Sequence, residues 1–263
     1  MKRIAFLLAL LLPVAAVAQT STEWGVRVSA EANYRITKGL HLTAEEEFRY
    51  ANGTTDNVRT TLGITYKPAK AVKFGLGYTL INPFSATTGA FKEPRHRFFA
   101  DLSGNLQAGD FQFTLKERLQ LTHRTGEFNV FQNTPNTLAL KSKFTIKYKR
   151  WTYVEPYLSF ELRTALNDPW GTAGTTAQWN SKGTKSYYDY TPTGYTHVYN
   201  NRYRGELGAE IILSGHHSLK PYALFDFCND YELDTNSEGT RLFSAAYINT
   251  FRISAGLSYV FSF

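Results

Sequence analysis

The chain ends in NTFRISAGLSYVFSF (residues 249–263), in which apolar and polar side chains alternate without interruption. One face carries only apolar residues: Phe251, Ile253, Ala255, Leu257, Tyr259, Phe261 and Phe263. This alternation is the period of a β-strand with one apolar face and one polar face. An ordinary edge strand is the alternative, but a fully amphipathic strand ending in an aromatic residue favours the last strand of a membrane-spanning β-barrel.

The same period of two continues along the chain from residue 24, in segments of about ten residues, the length of a tilted membrane crossing. Short turns (67–71, 107–110, 149–150 and 214–218) alternate with long polar links (82–94, 122–136, 164–196 and 229–240). Short turns at one end and long loops at the other are typical of a transmembrane barrel. The sequence therefore predicts an all-β fold, an antiparallel up-and-down β-barrel that spans a membrane.

The number of strands is less well determined by the pattern. Ten segments are counted back from the C-terminus, and residues 24–36 form an eleventh. Bacterial barrels have even strand numbers and periplasmic termini. We therefore expect about ten strands, with residues 24–36 inside or beneath the barrel, or twelve strands if one has been missed.

The N-terminus has the features of a secretory signal peptide. Lys2 and Arg3 precede an apolar run, and Ala16-Val17-Ala18 matches a cleavage site. A membrane anchor is the alternative, but the apolar stretch is too short to span a bilayer. We expect residues 1–18 to be removed and residues 19–263 to form a single barrel domain in the outer membrane of a Gram-negative bacterium.

Composition excludes several classes of function. The 263 residues include 29 Lys+Arg against 22 Asp+Glu, a diffuse excess of positive charge that does not indicate nucleic-acid binding. Cys228 is the single cysteine, which excludes an intramolecular disulfide or a multi-cysteine metal site. No catalytic motif is recognised, and we expect no metal or cofactor. Partners are expected to be outer-membrane lipids, lipopolysaccharide and the barrel-assembly machinery.

Charged residues on the polar strand faces would point into the lumen. They form a candidate cluster for ligand binding or structural ion pairing: Glu45, Glu47, Arg59, Arg97, Arg118, Glu161, Arg204, Glu206, Asp226 and Arg252. Arg59, Arg97, Arg204 and Arg252 each start a strand, and we expect them near the outward end of the lumen. There they should pair with Glu45, Glu47 and Glu161, because unpaired guanidinium groups in a confined lumen are costly.

Two glutamates fall on the apolar faces of their strands. Glu46 and Glu117 would face lipid, where a carboxylate is costly. A β-bulge, or a position near the headgroups, is the simpler explanation, and a protein contact at that surface is the other.

The longest link, residues 164–196, is the candidate recognition loop for an extracellular ligand. It is rich in aromatic residues, among them Trp170, Trp179, Tyr187, Tyr188 and Tyr190. Tyr and Trp on polar loops suit contacts with sugars or proteins. A lid over the barrel, or strands extending above the membrane, is an equal alternative.

Short motifs suggest a family. The opening Trp24-Gly25-Val26, the strand starts Asn57-Val58-Arg59 and Asn201-Arg202-Tyr203-Arg204, and the ending Gly256-Leu257-Ser258-Tyr259 resemble one group of outer-membrane barrels. This is the family catalogued as domain of unknown function 2490, of Bacteroidetes-type bacteria. The resemblance implies a fold and a location but no activity.

Three functions remain open at this point. The leading hypothesis is a structural or small-molecule-binding or surface-binding barrel with a largely closed, charged lumen. The alternatives are a narrow channel for small anionic solutes and a lipid-modifying outer-membrane enzyme, the last disfavoured by the lack of a catalytic constellation.

Overall fold

Strands account for most of the chain, as the alternation predicts. Residues 21–179 and 186–263 are described by a computed structural model; the predicted signal peptide (1–18) and residues 180–185 of the predicted loop lie outside them. No helix among the described residues is long and apolar enough to cross a membrane. The strands are β1 (Ser21–Thr37), β2 (Leu40–Ala51), β3 (Thr54–Tyr66), β4 (Val72–Pro83), β5 (Arg95–Ala108), β6 (Phe111–Arg124), β7 (Asn136–Tyr148), β8 (Val154–Ala173), β9 (Gln178–Trp179), β10 (Ser186–Ile212), β11 (His217–Thr235) and β12 (Arg241–Ser262).

Eleven of these strands close into a barrel, and β9 pairs only with the start of β10. Each strand is antiparallel to its neighbours except at the seam, where β1 runs parallel to β12 from Ser21↔Thr250 to Asn33↔Ser262. The predicted all-β barrel is confirmed. The placement of residues 24–36 inside or beneath a ten-stranded wall was wrong. They lie in the wall as β1, paired with both β2 and β12. The wall therefore has an odd number of strands, and its first and last strands run in the same direction.

The two ends of the barrel differ, as predicted. The short-turn end carries the connections 38–39, 67–71, 109–110, 149–153 and 213–216, and the long-loop end carries 52–53, 84–94, 125–135, 174–177 and 236–240. The long-loop end has one tight turn, where Asn52 and Gly53 have φ of 48° and 83°. Both residues are left-handed, as in the turn that matches the twist of a two-residue hairpin. β1 also starts at the long-loop end.

Much of the predicted recognition loop is strand. β8 continues to Ala173 and β10 begins at Ser186, so residues 164–196 are mainly two strands that extend above the rim. β11 and β12 extend alongside them, and Tyr190, Leu233 and Leu242 form a small buried cluster between the two hairpins. The strand-extension alternative is therefore the one observed.

Burial in the wall is the reverse of that in a water-soluble domain. Among the described residues, eight hydrophobic side chains are buried against fourteen polar or charged ones. Large apolar side chains at the middle of strands are about half exposed instead: Leu62, Leu76, Leu102, Leu115, Leu158 and Leu207. The apolar face therefore points outward and the charged face points into the lumen.

The stagger of the strands gives the lumen its width. A row of paired residues that leaves β1 at Arg35 passes through every strand of the wall and returns to β1 at Ser21, fourteen positions away (35 − 21). This stagger over eleven strands corresponds to a strand tilt of about 45°. Residues distant in sequence therefore meet at one level inside the barrel.

Candidate anion-binding site in the barrel lumen

The lumen contains a cavity of about 700 Å³. Arg35, His41, Lys67 and Lys73 line it at the short-turn end. From there the cavity reaches as far as Arg49, Arg59, Arg97 and Arg204. No residue of the long-loop rim lines it among those described, so the cavity lies in the short-turn part of the lumen.

The inner limit of the cavity is a layer of cationic side chains, which we call the cation belt. It comprises Arg27, Arg49, Arg59, Arg97, Arg118, Lys141, Arg163, Arg202 and Arg204, which come from eight strands. They lie near enough to interact electrostatically across the lumen; Arg97, for example, experiences the charges of Arg49, Arg118, Arg163 and Arg202. The strand tilt brings these residues to one level.

One sector of the belt is fully paired. The buried Asp226 carboxylate accepts hydrogen bonds from Arg204 at 2.8 Å and from Arg27 at 3.4 Å. Glu161 accepts one from Arg202 at 2.5 Å and lies 3.9 Å from Arg204. Asp226 is only 1% exposed. Two carboxylates thus hold three arginines, and we call this the paired sector.

The opposite sector has no such partners. Arg59 donates from Nε to the Asn57 side-chain oxygen at 2.7 Å, and Arg97 donates from Nε to the Thr122 hydroxyl at 3.1 Å. Within the described part of the chain, neither guanidinium has a carboxylate within 4.0 Å, although both line the cavity. We call Arg59 and Arg97 the unpaired sector.

The predicted ion pairing is therefore correct in part. Arg204 pairs as expected with Glu161, and Arg252 pairs with Glu23 rather than with a predicted partner. The pairing expected for Arg59 and Arg97 was wrong. Glu47, which is opposite Arg59 in register, pairs with Arg49 instead, and on the intervening β4 the inward positions Thr79 and Ile81 carry no charge.

The remaining predicted cluster residues lie on the inner face. Glu45, Glu47, Arg118 and Glu161 line the cavity together with the unpaired sector and Arg204. Glu47 pairs with Arg49, and Asp101 holds Lys116 at 2.8 Å and Arg118 at 2.6 Å. Glu206, which binds Lys143 at 2.8 Å and the Tyr157 hydroxyl at 2.8 Å, lies outside the cavity lining, as do Asp226 and Arg252.

Positive charge predominates around the cavity. Its lining includes ten Lys and Arg side chains, Arg35, Arg49, Arg59, Lys67, Lys73, Arg97, Lys116, Arg118, Lys141 and Arg204, against five carboxylates, Glu31, Glu45, Glu47, Asp101 and Glu161. A low-dielectric enclosure strengthens the attraction of such an excess for an anion. The site therefore suits a small polyanion better than a cation or a neutral solute.

Five cations of the belt are not in the predicted cluster: Arg27, Arg49, Lys141, Arg163 and Arg202. Arg27 was missed because residues 24–36 were not placed in the wall. The other four lie on the polar faces of their strands, so alternation alone could have added them. Arg27 and Lys141 lie in register with other inward residues, Arg27↔Arg49 and Arg118↔Lys141. The alternation around Arg27, between Val26 and Val28, is the signal that could have found it.

The long-loop end is covered by contacts between distant segments. The Asn129 side chain donates to the Thr235 hydroxyl at 3.2 Å, and Gln132 donates to the Thr235 carbonyl at 2.9 Å. Tyr195 donates its hydroxyl to the Val130 carbonyl at 3.1 Å. The 125–135 loop is thereby fastened to the strand extension on the other side of the barrel.

Aromatic rings hold the extension together. Trp170 stacks on His197 with ring centres 4.3 Å apart, and His197 also bonds the Tyr247 hydroxyl at 2.9 Å. Burial among these rings lowers the pKa of His197, with Asp168 opposing the shift. Tyr231 packs against the same imidazole. Trp170 is therefore partly used in packing.

The other predicted recognition residues divide between surface and core. Trp179 is 65% exposed, and Tyr188 pairs with Leu242. Tyr187 lies beneath the Arg241 guanidinium at 4.7 Å, and Tyr190 is buried. These residues do not form one shared surface in the described part of the chain.

Glu46 and Glu117 both lie on the outer face, in strands that keep a regular register at those positions. Glu117 accepts a hydrogen bond from Ser142 at 2.6 Å. Glu46 pairs in register with Ala30 and Thr60 and is exposed, with no bulge at either position. The bulge explanation was therefore wrong for both residues.

Comparison with known proteins identifies one family. The model of a family described as "Protein of unknown function (DUF2490)" matches residues 24–262, nearly the whole chain. A search of curated proteins found no match. The predicted family is confirmed, whereas the bacterial group and the outer-membrane location stay predictions.

Proposed function

The chain belongs to the DUF2490 family, and we propose that it is a membrane-spanning β-barrel whose lumen binds a small anion. The anion enters from the short-turn end and is held by the unpaired sector of the cation belt. We further propose an outer-membrane location after removal of the signal peptide, with outer-membrane lipids and lipopolysaccharide around the wall and the assembly machinery acting during insertion.

The outer face supports the membrane-spanning part of this proposal. Half-exposed leucines from six strands of the wall make an apolar surface that continues around the barrel. Monomeric soluble proteins rarely expose contiguous apolar patches larger than a few hundred Å². A closed barrel satisfies the backbone hydrogen bonds of its strands internally, as a lipid environment requires.

The observation that carries the binding function is the pair of cavity-lining arginines without carboxylates. A buried guanidinium group without a counter-ion is costly. An anion bound between Arg59 and Arg97 would remove that cost. Guanidinium groups bind phosphate and carboxylate through paired, charge-assisted hydrogen bonds. Phosphate, sulfate and small carboxylates are therefore the ligand classes that fit.

The limited depth of the cavity and the fastened loop above it favour binding over conduction. The cation belt limits the cavity, and the 125–135 loop is fastened across the long-loop end. A narrow channel for anions would need both barriers to open. Conduction is therefore an outcome to be tested rather than the function favoured by this geometry.

The central experiment is calorimetric titration of the detergent-purified barrel with inorganic phosphate. We expect saturable binding that falls at least tenfold in the double variant Arg59→Gln/Arg97→Gln. Arg252→Gln is the matched control, because Arg252 pairs with Glu23 and does not line the cavity. Equal binding by the wild type and the double variant, or no binding of phosphate, sulfate or citrate, would contradict the proposal.

Planar-bilayer recording separates binding from passage. We expect no steady single-channel current from the wild type. A steady anion-selective current that falls on Arg59→Gln substitution would instead establish the channel function. Detergent-dependent extraction and a faster gel mobility before heating than after it test the membrane-spanning part independently of the lumen.

A further inference from the structure

Two carboxylates of the cavity have no cationic partner. Glu31 on β1 and Glu45 on β2 lie directly opposite each other in the antiparallel β1–β2 pair, and both line the cavity. Asn33 donates to Glu31 at 2.6 Å, but no Lys, Arg or His nitrogen of the described residues lies within 4.0 Å of either carboxylate. Arg49, on the same strand as Glu45, is already paired with Glu47. Like charges at directly opposite positions destabilise a strand pair, so the fold leaves negative charge uncompensated at this point of the cavity.

The two carboxylates are neighbours of the unpaired sector. One hydrogen-bonded row of the sheet joins them to Arg97 through two threonines: Glu31, Glu45, Thr61, Thr79 and Arg97. Arg59 lies two residues from Thr61 on β3, and all these side chains line the cavity. The hydroxyls of Thr61 and Thr79 bond to each other at 3.0 Å. The wall between the carboxylates and the unpaired sector is therefore made of small, uncharged side chains that leave room for a ligand.

The carboxylates elsewhere in the cavity wall are compensated by the protein itself. Asp101 binds Lys116 at 2.8 Å and Arg118 at 2.6 Å, and Glu161 binds Arg202 at 2.5 Å. On the side formed by β1 to β5, by contrast, uncompensated groups of both signs face one cavity. An anion alone would compensate the unpaired sector but would be repelled by the two free carboxylates. A ligand that carries an ammonium group beside its anionic group would compensate both.

We propose that the ligand of the lumen is a phosphate compound with a primary amine, of the aminoethyl phosphate class. Its phosphate lies between Arg59 and Arg97, whose hydrogen bonds to the protein use Nε and leave the terminal nitrogens for the ligand. Its ammonium group, with three N–H donors, is held by Glu31 and Glu45.

The register of β2 and β3 suits a short ligand. Glu45 pairs with Thr61 and Glu47 with Arg59, so Glu45 and Arg59 are diagonal neighbours. Diagonal neighbours in a strand pair are separated by about 7–8 Å. A linker of two carbons between phosphate and amine therefore allows both ends of the ligand to be held at once.

This inference rests on the anion-binding part of the proposed function, and calorimetric titration with two matched ligands tests it. Phosphoethanolamine and ethyl phosphate share the phosphate monoester and the two-carbon chain, and only the former has an amine. At neutral pH we expect the wild-type barrel to bind phosphoethanolamine about tenfold more tightly, as is typical for hydrogen bonds to charged groups. Equal affinities, or tighter binding of ethyl phosphate, would overturn the inference and leave the anion site intact. Binding of neither ligand would instead contradict the proposed function.

Variants of the two carboxylates locate the ammonium group. Glu31→Gln/Glu45→Gln should remove the preference for phosphoethanolamine and leave ethyl phosphate bound at least as tightly as in the wild type, because the repulsion is gone. Glu46→Gln, on the outer face of the same strand, is the matched control and should keep the preference. A preference that persists in the double variant would overturn the inference. Gel mobility before and after heating checks that each variant is folded, and the comparison of ligands on the wild type needs no variant.

Glycerophosphoethanolamine distinguishes two sources of the same chemical group. It is the headgroup of a phospholipid and carries the aminoethyl phosphate as a diester. Tighter binding of this diester than of phosphoethanolamine would assign the ligand to a lipid headgroup, and weaker binding would assign it to a free monoester. Either result supports recognition of an aminoethyl phosphate.

Discussion

The paired and unpaired sectors of the cation belt use the same residue type on the inner face of the barrel wall, yet their surroundings differ. In the paired sector, Asp226 and Glu161 bind Arg204 from either side. In the unpaired sector, Arg59 and Arg97 have only the neutral partners Asn57 and Thr122. The arginine itself does not distinguish a structural role from a binding role. A carboxylate that is not already bound elsewhere does: Glu47, opposite Arg59 on β2, is paired with Arg49 instead.

Because of this difference, substitutions in the two sectors should change the free energy of unfolding by different amounts. Removing one member of a buried ion pair leaves an uncompensated charge, which is strongly destabilising. Removing an arginine that has no counter-ion takes away a charge that was already uncompensated. Stability should therefore depend on the paired sector and anion affinity on the unpaired sector.

The largest effect is expected at Asp226. Asp226→Asn keeps the size of the side chain but leaves Arg27 and Arg204 without their carboxylate. The loss should be about 3–5 kcal/mol in the free energy of unfolding. Urea unfolding in detergent micelles measures it. Glu23→Gln, whose ion pair with Arg252 is more exposed than that of Asp226 with Arg204, is the control and should cost less.

A fully folded Asp226→Asn barrel with wild-type stability would break the comparison. It would mean that water or another group compensates both arginines, and that the two sectors are equivalent. Where the variant does not insert at all, the fraction of protein that folds in vesicles gives the same ranking against the Glu23→Gln control.

Smaller changes in stability, which differ between the two sectors, are expected for Arg204→Gln and Arg59→Gln. Arg204→Gln should lower stability by about 1.5–3 kcal/mol, the range of hydrogen bonds to charged groups, because Asp226 keeps only Arg27. Arg59→Gln should lower stability by less than that or raise it, because Glu47 stays paired with Arg49 and no carboxylate is left without its partner. The same unfolding assay compares the two variants, and an equal loss in both would show that Arg59 is structural.

Comparing Arg59 with Arg204 also shows which features of the site can be predicted from the sequence. Alternation and loop lengths predict the barrel, its two ends and the inward direction of both residues. They do not predict pairing, because the partner across the lumen depends on the stagger, which is a property of the closed sheet. Alternation between Val26 and Val28 likewise predicts that Arg27 points inward only if residues 24–36 are a strand of the wall, and an even strand number excludes that strand.

The strand extension shows a second limit of the sequence. Residues 164–196 lack clean alternation because the β8–β10 pairing is interrupted by register shifts near Pro192, Gly194 and His197. A bulge reverses the face on which later side chains lie, so the period of two is lost although the strand continues. The aromatic residues therefore suggest a loop, and their packing emerges only in the fold.

Bound phosphate should stabilise the folded barrel only when the unpaired sector is intact. A ligand that binds only the folded barrel adds about 1.4 kcal/mol of stability when its concentration is ten times its dissociation constant. We expect this increment in the wild type and in Arg204→Gln, and its loss in Arg59→Gln/Arg97→Gln. Thermal unfolding with and without phosphate measures it, with chloride at matched ionic strength as the control for screening. An increment that survives in the double variant would place the anion elsewhere.

The smallest effect is expected in the extension above the paired sector, where His197 lies between the two hairpins. Because burial lowers the pKa of His197 below its ordinary 6.5, the packed extension binds the proton less tightly than the opened one. The packing is therefore strongest above pH 6.5 and weakens as the pH falls below that value. The protection factors of amides 186–199 against hydrogen exchange, which are corrected for the intrinsic pH dependence, should be lower at pH 5.5 than at pH 7.5. His197→Asn should remove that difference, and His216→Asn, at the short-turn end, should keep it.

Phosphate affinity should respond to neither His197→Asn nor His216→Asn, since the unpaired sector lies on β3 and β5. A change in affinity with His197→Asn alone would show that the extension controls the lumen.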